Sequence, residues 1–176
     1  AVVTLLFDNY IEAHLHTPLV IALMLILYGA AFIWVEKWNR SRQPKVARLE
    51  DITYRTALMI GLFQVLSIIP GTSRSGATIV GALLIGVSRV AAAEFTFFLA
   101  VPVMIGLSLI KILKFGLAFT SGELVVLLLG SAVAFVVSLL VVRFLMNYIR
   151  RHDFTAFGWY RIILGLVVIL ALLVLK

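Results

Sequence analysis

From Ile68 to Ile79 the chain reads IIPGTSRSGATI, and Thr72, Ser73, Arg74, Ser75 and Thr78 place four hydroxyls and one guanidinium within seven residues. Hydroxyls donate hydrogen bonds without carrying charge, and the arginine fork matches the oxygens of a phosphate. Pro70 cannot continue a helix interior without losing a hydrogen bond, so it ends one helix. Gly71 and Gly76 allow a tight backbone and the close approach of a ligand. Ser73 or Ser75 caps a second helix, GATIVGALLIG, whose free N–H groups and dipole favour an anion. The pattern is that of a phosphate cradle: Arg74 supplies charge, and Gly71, Thr72, Ser73, Ser75, Gly76 and Thr78 surround the group. Gln64, six residues before Pro70, either hydrogen-bonds into this tip or bridges two helices. The blander alternative is an ordinary loop with Arg74 reaching headgroups. Against it, an arginine at the membrane centre costs on the order of 2.5–3.5 kcal/mol or more and usually marks function.

The elements that must position this cradle are membrane helices. The chain has 176 residues, 63% of them hydrophobic and 13% charged, with mean hydropathy +1.15. A soluble domain is about 45–50% apolar and about 25% charged, so the reading is an all-α polytopic membrane bundle. Spans are expected at 19–35, 90–110, 124–142 and 154–175, the last with Trp159, Tyr160 and Arg161 as an interfacial belt. Residues 1–7 form an apolar stub and 8–18 a polar, amphipathic stretch. The chain lacks an initial Met and looks as though it begins inside a hydrophobic helix.

The net charge of +7 would suggest nucleic acid in a soluble protein. Here the basic residues cluster in two tracts, 37–55 and 143–152, so they report topology and anionic headgroups, and no nucleic-acid partner is expected. With both tracts cytoplasmic, the segment 56–88 must begin and end on one side. Its arms are short, which favours a re-entrant hairpin with its tip at 70–76, near mid-membrane. Irregular backbone survives there only when buried in protein or facing a water-filled cavity.

The remaining candidates are weaker. Glu94 either pairs with Arg89 or Arg74 or sits at the interface. Ala77, Gly81 and Gly86 form a small-residue packing face. Lys111 and Lys114 anchor to headgroups. His14 and His16, two apart, point different ways on a helix. With no cysteine, disulfides and thiolate metal sites are excluded.

GLFQVLSIIPGTSRSGATI (61–79) followed by GVSRVAAAEFTFFLAVPVM (86–104) closely resembles the second signature region of the bacterial undecaprenyl-diphosphate phosphatases, the family linked to bacitracin resistance. The similarity runs from roughly residue 1 to the C-terminus. It implies two inverted repeats, each with a re-entrant hairpin, whose tips meet in a cavity open to the outer face of the bacterial plasma membrane. It implies hydrolysis of undecaprenyl diphosphate to the monophosphate, which recycles the lipid carrier for peptidoglycan. It places Arg74 at the transferring phosphate and matches Ser73 and Thr78 to neighbouring catalytic positions.

The family's first signature, with its acidic residues, serine run and histidine, is absent here. The chain therefore resembles the C-terminal part of such an enzyme, and alone it is expected to be inactive. Its partners would be a polyprenyl diphosphate, the bilayer and the missing N-terminal repeat, with a homo-oligomer left open. No cofactor or metal is expected on this segment; magnesium or calcium would be held through the missing half.

Two rivals differ in class. The membrane acid phosphatases need a histidine after Ser-Arg, whereas Ser88-Arg89 is followed by VAAAEF. A transporter or lipid flippase also builds anion sites from broken helices, and differs in moving the lipid without cleaving it.

Overall fold

A computed structural model describes Leu15 and residues 17–115 and 120–174. The stub 1–7, most of the stretch 8–18 with His14 and His16, and the final two residues lie outside the described residues. Among the described residues six α-helices are complete: α1 (Pro18–Asn39), α2 (Tyr54–Val65), α3 (Arg74–Leu84), α4 (Arg89–Phe115), α5 (Ser121–Arg151) and α6 (Thr155–Val174). Single 3-10 turns precede and follow α2, at Leu49–Asp51 and Leu66–Ile68. The four helices α1, α4, α5 and α6 are long and apolar enough to cross a membrane.

Local sequence sets the helix starts. Thr17 caps α1 by accepting from the Val20 amide, with Pro18 in the first turn where its missing N–H costs nothing. Thr53 caps α2 and Ser73 caps α3 in the same way. Thr120 and Glu123 form a reciprocal capping box on α5. That helix runs on past Val142 through the basic tract to Arg151. The tract holds no Gly or Pro to stop it, and its arginines suit a helix C-terminus. Pro102 lies inside α4, which continues through it.

α1 and α6 pack antiparallel along a glycine seam. A Cβ on Gly158 would lie 2.7 Å from Ile33 Cγ1 and 2.8 Å from the Gly29 carbonyl, and one on Gly165 would meet Ile26 and the Ala22 carbonyl equally closely. Such close backbone approach is how helices associate in lipid, where no hydrophobic force draws them together.

α2 and α3 form a helical hairpin. With 11 residues, α3 is only about 16 Å long, half of what a hydrocarbon core of about 30 Å demands. Both hairpin ends lie at one end of the bundle. Lys45 and Val46 donate to the Gly86 carbonyl, and the Ser88 amide donates to Val46. Asn39 Nδ2, at the end of α1, donates to the Leu83 carbonyl at 3.0 Å. At the tip, Gly71 (φ +88°) presses on α1 so that a Cβ would lie 2.6 Å from the Ile21 carbonyl. The tip thus reaches past the midpoint of α1, toward its Pro18 end.

The same basic end is pinned by one buried carboxylate. Glu36 is 3% exposed. It accepts from Arg89 Nε at 2.8 and 3.0 Å, from Arg89 Nη2 at 2.6 Å and from the Phe154 amide at 3.1 Å. Arg89 thus pairs with Glu36 and not with Glu94. Beneath this clamp lies the main core, in which Phe32 and Val35 meet Ile79, Leu83, Ile149 and Phe154. Every α5 residue from Ser121 to Val141 is exposed, as is most of the second half of α4.

Candidate anion site at the hairpin tip

Each residue of the sequence motif has a definite place. Ser73 Oγ accepts from the Gly76 amide at 3.2 Å and lies 2.9 Å from Ser75 Oγ. The Arg74 and Ser75 amides, in the first turn, have no intrahelical acceptor. Arg74 is exposed and joins no ion pair among the described residues. With Gln64, Ser73, Ser75 and Thr78 it lines a cavity of about 340 Å³ between the hairpin and α4. Arg74, Ser73 and Ser75 therefore border one opening, whose far wall is the apolar α4 face of Phe97, Leu99, Val103 and Met104. Gly71 serves the turn and Gly76 is buried under Phe32.

Two motif hydroxyls are placed differently. Thr78 is 1% exposed. Its Oγ1 lies 3.0 Å from the Arg74 and Ser75 carbonyls and 3.0 Å from Thr96 Oγ1, which donates to the Ala92 carbonyl at 2.8 Å. It ties α3 to α4 and edges the cavity more than it opens into it. Thr72 is 7% exposed, and its hydroxyl sits against that of Tyr28, away from the cavity.

Arg161 is the residue that sequence reasoning placed elsewhere. Beside Trp159 and Tyr160 it looks like part of an interfacial belt. The fold instead brings its guanidinium to the α3 start, where Nη2 would lie 3.5 Å from a Cβ on Gly76 and Cζ lies 5.8 Å from the Phe32 ring centre. Its Nη1 is buried without a partner. The signal was available, because Arg161 is the single charge in α6.

No group of three His, Asp or Glu side chains gathers among the described residues. The hydroxyls and guanidinium at the tip are donors to an anion and do not form a ligand set for a divalent cation.

The fold defines a multi-pass helical membrane protein, with four helices long and apolar enough to cross a membrane. The chain matches the family described as bacitracin resistance protein BacA over residues 1–167, and it belongs to that family. It is 66% identical over 97% of its length to a protein of Enterococcus faecalis called undecaprenyl-diphosphatase, 62% of which is covered. Proteins of the same name from Lachnoclostridium phytofermentans and Streptococcus thermophilus are 58% and 56% identical, over 95% and 94% of this chain and 61% and 58% of their own lengths. The chain therefore spans roughly three fifths of these relatives.

Proposed function

We propose that this segment supplies the phosphate-clamping half of a membrane phosphatase that hydrolyses undecaprenyl diphosphate to undecaprenyl phosphate and phosphate. The observation that carries this reading is the free Arg74 guanidinium at the α3 N-terminus, facing a cavity beside two hydroxyls. The relatives' shared name gives the substrate. In the reaction the terminal phosphorus is attacked, its bond to the bridging oxygen breaks, and negative charge spreads over the leaving and peripheral oxygens. Arg74 and the first-turn amides are set to stabilise that charge without reorganising. The attacking group and its base come from outside this segment, in an N-terminal repeat that completes the site. The segment alone is inactive on this reading.

The site belongs in the bacterial plasma membrane, open to the outer face. Its work there is to recycle the lipid carrier for peptidoglycan, with bacitracin resistance as a consequence. The test uses the full-length protein. Arg74→Ala is expected to lower kcat/KM for phosphate release by about 10²–10³-fold, as loss of one preorganised donor does. Arg74→Lys keeps the charge without the fork and recovers only part. Unchanged release by both variants would refute the clamp. A hairpin of short helices also suits a transporter of anionic lipid; phosphate release from purified protein separates the two.

A further inference from the structure

Thr96 lies outside the sequence motif and meets the site from α4. It is 9% exposed and lines both the Arg74 cavity and a second one of about 150 Å³. Ser73 and Ser75 also line both, so the α3–α4 contact at Thr96 stands where the two cavities adjoin. Among the described residues, two side-chain hydrogen bonds join α3 to another helix. Asn39 holds the Leu83 carbonyl at the basic end. The other runs between Thr78 Oγ1 and Thr96 Oγ1 at 3.0 Å, about one helical turn from Arg74. Two protons serve this contact. Thr96 donates its own to the Ala92 carbonyl at 2.8 Å, so across the pair it accepts. Thr78 has one proton and three oxygens at 3.0 Å: Thr96 Oγ1 and the carbonyls of Arg74 and Ser75. A threonine bonded back to the carbonyls of the preceding turn bends its helix. Thr96 draws part of that bond away, on the turn from which Arg74 projects.

Resting on the phosphatase reading above, we infer that Thr96 is a positioning residue for Arg74 and acts on it through Thr78. Its proton is committed to Ala92 and it carries no charge, so its work is on the helix and not on the ligand. The Arg74 cavity has α3 on one side and the α4 face of Phe97, Leu99, Val103 and Met104 on the other. The Thr78–Thr96 bond crosses between those two helices, and it sets how far the first turn of α3 stands from that wall. Thr78 is 1% exposed, so no water competes for the bond. Without the Thr96 oxygen, the Thr78 proton passes wholly to the Arg74 and Ser75 carbonyls. No buried donor is then left unpaired, so the fold survives. The first turn of α3 bends, and the guanidinium it carries moves with it.

The experiment is a double-mutant cycle between Thr96 and Arg74 in the full-length protein in detergent. It reads kcat/KM for phosphate release from undecaprenyl diphosphate and, independently of turnover, the binding of inorganic phosphate. Thr96→Val should lower both about tenfold, the upper end for one hydrogen bond. Thr96→Ser keeps the oxygen and should stay within about twofold of wild type. In the Arg74→Ala background Thr96→Val should change either readout by less than about twofold, because the group it positions is gone. Thr96→Ala removes the same oxygen without adding apolar bulk; it should match Thr96→Val and takes its place if the valine variant does not fold. A threonine that only packs would give equal losses in both backgrounds, or none in either, and both results overturn the assignment. A wild-type protein that shows the coupling in phosphate binding but releases no phosphate from the diphosphate would instead overturn the enzymatic reading alone.

Discussion

At the scale of single residues, charge inside an apolar chain is the informative signal, and it was legible unevenly. Arg74 stands out in the sequence because glycines and hydroxyls surround it. Arg161 and Glu36 do not, because each borders a run of ordinary interfacial residues, and only packing shows which way they turn. The Glu36–Arg89 pair yields a prediction with a built-in asymmetry. The Glu36 side chain is 2% exposed and that of Arg89 39%. Removing the exposed partner strands a buried carboxylate, whereas removing the buried one leaves an arginine that water can reach. Arg89→Leu should therefore destabilise the protein more than Glu36→Gln, by about 3–5 kcal/mol against roughly 1–3 kcal/mol. Thermal unfolding in detergent ranks them, and equal losses would mean the pair is not the pin its geometry implies.

At the scale of elements, the four long apolar helices were readable from hydropathy, and the break between α2 and α3 from Pro70 and Gly71. The contacts that join them were not, since a glycine in a sequence does not say what approaches it. Gly81 is the clearest case. A Cβ there would collide with the Phe63 ring across the hairpin, so α2 and α3 meet through an aromatic set against a bare backbone. Gly81→Ala should cost about 1–3 kcal/mol as overpacking, and Phe63→Leu on top of it should recover much of the loss. The Gly81→Ala and Phe63→Leu effects would then be strongly non-additive. Additive losses in the double variant would show that the two residues do not share one space. The glycine seam of α1 and α6 follows the same logic, and sequence reading passed over it because Gly29, Gly158 and Gly165 come from distant parts of the chain.

At the scale of the whole molecule, sequence and structure converge on which ends lie together. The basic tract after α1, the start of α4 and the turn between α5 and α6 meet at the Glu36 clamp. By the positive-inside rule that end is expected to face the cytoplasm. Gly71 rests on Ile21, near the opposite end of α1, so the site should be reached from outside. The segment has no cysteine, so once any cysteine elsewhere in the full-length protein is replaced by serine, a single introduced thiol reports its own side. In intact cells making the full-length protein, Ser75→Cys should react with a small membrane-impermeant thiol reagent, as should Thr17→Cys. Ser41→Cys, in the basic turn, should react only after the membrane is opened. Added inorganic phosphate should slow labelling at residue 75 and leave residue 17 unaffected, because only the former lines the Arg74 cavity. Labelling of Ser75→Cys from the cytoplasmic side alone would reverse the orientation. On the proposed phosphatase reading it would also place phosphate release inside the cell.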